Sequence, residues 1–304
     1  MIERINFIFK KNDSFFILYL LYFKMYKLVE DNVCQIKCYN EAVRVPEYYH
    51  SIIAQINAKF YYNIINDELL LCRPVAIMGQ WSLMAYILYP FTQDIDNKFT
   101  QRGLHLPYAT EPKKKDYFEY IYDTESTIKL VGKQFTRFRN MLKRYSTYAE
   151  CGYDNDVLEV VEAWSKLKKS KHQLKLLKII NKYISVVDIN ITRVYCEKSD
   201  RIIGFSIVER VGQHGIIIQR LINPEIKDLI LEPNLIIHYW DCVKNSNLKL
   251  LNIGAGRNSA IKVAKEKLRP SQKIQYWKAA RSIAPTREEW YKFKNTKVPL
   301  VKKK

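Results

Sequence analysis

LLNIGAGRNSAIKVAKEKLRPSQKIQYW, residues 250–277, is the stretch on which the reading of this chain turns. Leu250, Leu251 and Ile253 form the short apolar run of a buried strand. Gly254 and Gly256 bracket a turn, where glycine alone is indifferent to the sign of φ. Asn258 or Ser259 can cap a helix in which Ile261, Ala264 and Leu268 recur at helical spacing, and a second strand follows Pro270. A strand feeding a glycine turn and a helix start leaves backbone N–H groups pointing outward, an arrangement suited to phosphate, pyrophosphate or carboxylate. Arg257, Lys262, Lys265, Lys267 and Arg269 add positive charge there. The competing reading of the same residues is a glycine turn beside a solvated basic helix.

Upstream, Ile191–Cys196, Ile202–Val211 and Gly215–Leu221 read as strands, the first two joined by a turn at Lys198–Asp200. Glu232–Lys244 reads as a short helix. Val157–Ile184 is a long helical pattern broken near Ser170, with Leu158, Val161, Trp164 and Leu167 expected inward. Its other face carries Lys166, Lys168, Lys169, Lys171, Lys175 and Lys178. Tyr117–Tyr122 alternates like a strand, Asp123 offers a cap, and a basic helix follows Gly132. That helix has Phe135, Phe138, Met141 and Leu142 on its apolar side, with Lys133, Arg137, Arg139, Lys143 and Arg144 uncompensated by any acid. Earlier, a helix is expected over 48–62 and a strand over 69–78, interrupted at Pro74. Strands and helices in this order predict an α/β (α+β) fold with a mixed, largely antiparallel sheet flanked by helices.

The 304 residues can form one large or two medium domains. Hydrophobic content of 48% and charged content of 27% exclude a disordered chain. The formal charge of +19 favours a polyanionic partner, either nucleic acid (tRNA or DNA) or an anionic membrane surface, unless lysine serves only solubility. The six cysteines lack paired metal spacing, so no metal is expected, and with no secretory signal they are read as reduced in a cytoplasmic protein. Phe15–Phe23 is apolar, but nine residues are too short for a bilayer core of about 30 Å. Residues 1–24 are left as an unassigned amino-terminal extension.

Two blocks carry a family resemblance. EYIYDTESTIKLVGKQFTRFRNMLKRY (119–145) resembles the first conserved block of the phosphatidylglycerol lysyltransferase C-terminal-like family, and LNIGAGRNSAIKVAKEKLRPSQKIQYW (251–277) its glycine-containing segment. RIIGFSIVERV between them resembles the strand pair on which GNAT-type acyltransferases build an acyl-donor site. The resemblance spans about residues 115–278 and implies a tandem GNAT-like fold related to Fem-type aminoacyl transferases. The domains expected from it are a GNAT-like one over 25–150 and a GNAT-like acyltransferase domain over 151–304. It matches Gly132, Lys133, Arg137, Arg139 and Asn140 to the first block and Asn252, Gly254, Lys265 and Pro270 to the second. The sequence departs from the acetyl-CoA loop pattern, since Leu251 stands where that loop has Arg or Gln. No stretch of the sequence reads as the membrane-spanning portion of the lysyltransferases, so lipid lysylation is not what the resemblance by itself leads one to expect.

The function this implies is transfer of an acyl or aminoacyl group onto an amine or hydroxyl, from acyl-CoA or aminoacyl-tRNA. A nucleic acid would be the donor, or the acceptor as a modified DNA base. Catalytic candidates are Glu209, as base, and Tyr239, in an acid or orienting role, with His238 beside it. Asn252, Gly254, Gly256, Arg257 and Lys265 are the candidate donor or anion site, and Lys133, Arg137, Arg139 and Asn140 the candidate phosphate contacts. The alternatives are a non-catalytic nucleic-acid-binding protein and a membrane-surface lipid aminoacyltransferase.

Overall fold

Proline has no N–H to give a sheet, yet the third strand runs through Pro74, and the pairing explains how. The computed structural model describes residues 27–41, 43, 46, 48–65, 68–77, 80–87, 118–144, 146–226, 231–256, 259–275 and 279–282. These fall into two units, one within 1–31, 59–111 and 278–304, the other within 32–58 and 112–277. In the first unit, β1 (Lys27–Leu28), β2 (Tyr61–Ile65), β3 (Glu68–Ile77) and β4 (Gln80–Ile87) pair antiparallel in that order. The β2–β3 pairing ends at Tyr61 and Cys72, so at Pro74 only β4 flanks β3 among the described residues, an edge-like position of the kind that tolerates proline. Val29, Phe60, Leu69 and Leu71 are buried in this unit.

The second unit begins with α1 (Val33–Asn40) and α2 (Ile52–Asn57). The helix expected over 48–62 is therefore shorter. It stops at Ala58, the backbone turns left-handed at Lys59, and the chain has entered β2 by Tyr61. Next come β5 (Phe118–Asp123), α3 (Thr124–Lys129), α4 (Thr136–Arg144) and β6 (Thr147–Cys151). The Asp123 carboxylate caps α3 by accepting from Ser126 N at 2.8 Å. α5 (Asn155–Lys168) and α6 (His172–Tyr183) are separated at Lys169, whose positive φ ends α5. Val157, Val160 and Val161 form the inward stripe of α5, whereas Leu158 and Leu167, expected inward, are 36% and 61% exposed.

β7 (Ile189–Cys196), β8 (Arg201–Val211) and β9 (His214–Ile222) form a meander. α7 (Leu231–Asn245), β10 (Leu250–Ala255), α8 (Ser259–Lys267) and β11 (Gln272–Gln275) complete the unit. The sheet has seven strands in the order β11-β5-β10-β9-β8-β7-β6, and every neighbouring pair is antiparallel except β9 and β10, joined through α7. Strands from both sides of the domain boundary expected at 150/151 thus lie in one sheet. The last strand, β12 (Ala279–Ser282), pairs with β4 of the first unit.

Alternation assigns the two faces of the seven-stranded sheet. Tyr120, Tyr122, Leu251, Ile253, Ile217 and Val208 share a core with α7, α8 and the residues Leu130, Phe135 and Phe138. Glu119, Asn252 and Glu209 point to the other face and hold the segment carrying α2. Tyr48 N donates to Glu119 Oε2 at 2.8 Å, and Asn252 Nδ2 donates to Pro46 O at 2.7 Å and to Glu119 Oε2 at 2.6 Å. Ser51 Oγ, Ile52 N and Ile53 N all donate to the Glu209 carboxylate, at 2.6, 2.7 and 3.1 Å.

Candidate functional site

β9 and β10 are parallel, but they pair only at Leu251 with Gly215 and Asn252 with Ile216. Just beyond, each strand bulges toward its outer neighbour. On β10 the step from Asn252 to Ala255 faces the shorter step from Ile121 to Glu119 on β5. On β9, Ile217 and Gln219 face the adjacent Val208 and Ile207 of β8, so Ile218 is the extra residue. A bulge bends its strand and increases its twist. Among the described residues the β9–β10 ladder ends there, leaving an opening at the carboxyl ends of the one parallel pair, the place where α/β sheets bind ligands.

The β10 bulge is built by residues of the opening stretch. Gly254 has φ +71°, and its N–H donates to Asn252 Oδ1 at 2.7 Å. Lys265 Nζ donates to the carbonyls of Ile253, Gly254 and Ala255 at 2.5, 2.7 and 3.2 Å. An ammonium has three N–H groups, so this lysine is committed to the turn itself rather than to an incoming anion. A Cβ at Gly256 would lie 2.7 Å from Lys262 Cγ, so α8 can approach the turn only over a glycine.

Beside the bulges lies a cluster of tyrosines and two cations. Tyr122 Oη donates to Lys265 O at 2.6 Å, and Lys265 Nζ is 5.5 Å from the Tyr120 ring centre and 6.0 Å from that of Tyr239. Arg220 on β9 lays its guanidinium 3.6 Å from the Tyr239 ring centre, and its Nη2 donates to Tyr239 Oη at 2.5 Å. Burial holds the Tyr239 phenol above its usual range despite Arg220, and pushes Tyr122 higher still. Burial, reinforced by Arg220, depresses His238 to about 3, while burial raises the Cys242 thiol to about 12.

The structure brings Tyr239, Asn252, Gly254, Gly256 and Lys265 into one neighbourhood, but Asn252 and Lys265 brace the fold there. Glu209, expected as a base, lies on the opposite face with both oxygens bonded to the start of α2. It is wholly buried, and burial lifts its carboxyl to about 7 against the pull of Ser51 and the two backbone donors. Arg139, expected on phosphate, donates through Nη1 to Leu130 O at 2.5 Å and Gly132 O at 3.0 Å, closing the turn before α4. Lys133, Arg137 and Asn140 are exposed, and Arg137 is close enough to Lys267 of α8 to help lower its pKa, after burial. The two family-like blocks therefore meet in space. Arg257 lies outside the described residues. Sequence reasoning missed Arg220 and Glu119. The signal for Arg220 was there: the one charged residue in the mostly apolar strand GIIIQRLI.

No protein-family model matches the chain, and no curated protein does. Solved structures do. A Bacteroides thetaiotaomicron protein of unknown function aligns over 81% of this chain and 95% of its own, at 11% identity and TM-score 0.59. The C-terminal DUF2156 domain of a protein from Agrobacterium fabrum, named as a lysylphosphatidylglycerol synthetase, aligns over 81% and 90%, at 10% and 0.51. FemX aligns over 85% and 97%, at 8% and 0.52. The chain shares their fold. The resemblance read from residues 119–145 and 251–277 implied this pair of relatives, the lysyltransferase domain and a Fem-type protein. Among the described residues no helix is long and apolar enough to cross a membrane, and no three metal-ligating side chains cluster.

Proposed function

We propose that the protein is an acyl- or aminoacyl-transferase working in the opening between β9 and β10. The observation that carries this reading is the pair of bulges on the one parallel pair among the described strands of the sheet, in a fold shared with FemX and a lysylphosphatidylglycerol synthetase domain. A thioester or aminoacyl ester is already activated, so the protein's task is to align an amine or hydroxyl with it and to stabilise the oxyanion. Tyr239 suits the proton-donor role. Its oxygen accepts from Arg220, which leaves its own O–H to donate, and its raised pKa keeps that proton in place at neutral pH.

The donor we favour is aminoacyl-tRNA. Lys133, Arg137, Lys143 and Arg144 are exposed around α4, and Lys166, Lys168, Lys171, Lys175 and Lys178 on α5, α6 and their junction. Such rows suit a phosphate backbone, and the +19 charge would draw it in. A transfer assay tests the reading with labelled aminoacyl-tRNA and labelled acetyl-CoA, each offered small amines, anionic lipid vesicles and single-stranded DNA. Label should leave aminoacyl-tRNA, and Lys133→Glu with Arg137→Glu should raise the donor KM strongly while the protein stays folded. Failure of label to move from either donor to any acceptor would reject the transferase, and salt-sensitive nucleic-acid binding without turnover would leave the binding-protein alternative.

A further inference from the structure

An arginine side chain stays protonated in a protein and carries five N–H donors. Arg220 uses one on Tyr239, while Nη1, sealed from solvent, finds no hydrogen-bond partner among the described residues. No carboxylate among them pairs with the guanidinium either. Tyr239, His238, Cys242 and Tyr122 feel its field, while the two carboxylates that act on Cys242 and Tyr122, Asp241 and Glu266, are engaged by Thr147 and Lys273. All four are neutral near pH 7, because burial raises the two phenols and the thiol and depresses the imidazole. Lys265 adds a second positive charge beside Tyr239 and Tyr120, with no donor to spare. A half-buried, uncompensated cation with an open donor is costly unless a ligand completes it.

We propose that Arg220 docks an oxyanion, a phosphate or a carboxylate, of the molecule that enters between β9 and β10. The route of entry rests on the transferase reading above; the anion site rests on Arg220 and its neutral surroundings. Arg220 stands on β9 beyond the bulge at Ile218, on the face that carries Tyr239. With Nη2 fixed by the phenol, the rigid guanidinium fork aims its remaining donors as a unit, a geometry matched by two oxygens of a carboxylate or a phosphate. The anion site expected at the glycine turn is thereby moved across the opening, from Lys265 to Arg220.

Thermal unfolding of the full chain in sodium phosphate, sodium acetate and sodium chloride at matched ionic strength and neutral pH tests this. Phosphate or acetate should raise the wild-type Tm saturably by a few degrees more than chloride. The anion that acts distinguishes a phosphate ligand from a carboxylate one. Arg220→Met should lose that specific shift while being at least as stable as wild type in chloride, since it removes an uncompensated cation. Lys198→Gln, at an exposed turn outside the basic rows, is the surface control and should keep the shift. Should the methionine variant not fold, Arg220→Gln carries the same test. Equal wild-type responses to the three salts, or a shift that survives loss of Arg220, would overturn the site. Transfer with unchanged KM and kcat in the Arg220 variant would overturn it too, and would leave the transferase reading standing.

Discussion

Changing Glu209 to Gln separates an anchoring carboxyl from a catalytic base. Burial raises the Glu209 carboxyl from an ordinary 4.5 to about 7 in the folded protein. Across that window the folded chain holds a proton that the unfolded chain releases, so stability falls as pH rises. The contribution is complete below about 4.5 and lost by about 7, and at 1.36 kcal/mol per pH unit it amounts to about 3 kcal/mol. Glutamine does not titrate. The stability of wild type minus that of Glu209→Gln, from urea unfolding between about pH 4 and about pH 8, should therefore decline by about 3 kcal/mol. Taking the difference cancels the other titrating groups, His238 and Asp241 among them. A flat difference, or one that grows with pH, would mean that Ser51, Ile52 and Ile53 hold the carboxylate ionised, and would refute the argument. The folded variant should also keep its transfer activity per molecule, because both Glu209 oxygens are bonded at the start of α2, on the sheet face away from Tyr239. A stable but inactive Glu209→Gln would restore it as the base.

Four further outcomes are expected. Lys265→Met strands three carbonyls of the β10 bulge and should cost about 3 kcal/mol in chemical unfolding, where a mere phosphate contact would cost affinity alone. Gly254→Ala forces a side chain into φ +71° and should cost about 1–2 kcal/mol, read as a lowered unfolding midpoint. Arg137→Ala should stay within about 0.5 kcal/mol of wild type yet bind tRNA more weakly, with a shallower salt dependence. His238, held near 3 when folded, contributes stability present above its ordinary 6.5 and lost as pH falls toward 3, so His238→Phe should flatten the acid limb of the stability curve.

Most elements of the seven-stranded unit were legible because their signals are local. The Asp123 cap, the break after Lys168 and the strand–turn–helix–strand of 250–275 each depend on residues a few positions apart. The site was legible only in outline. Tyr239, Gly254 and Lys265 fall beside the opening, but the donors of Lys265 turn inward. A lysine beside a glycine turn looks the same in sequence whether it meets an anion or three carbonyls, and only the fold of β10 separates the two.

Composition, periodicity and capping thus determined the basic character of the chain, the order of its strands and helices and the place of its glycine turn. Tertiary structure decided what the polar residues do. Glu209 meets its partners 156–158 positions away, and Asn252 meets Pro46 and Glu119 across 206 and 133 positions, so no local pattern could announce that they pin the segment carrying α2. The isolation of Arg220 was equally hidden. Whether a charge in a strand is balanced depends on the protonation of whatever packs against it, and burial sets that protonation only once the chain has folded.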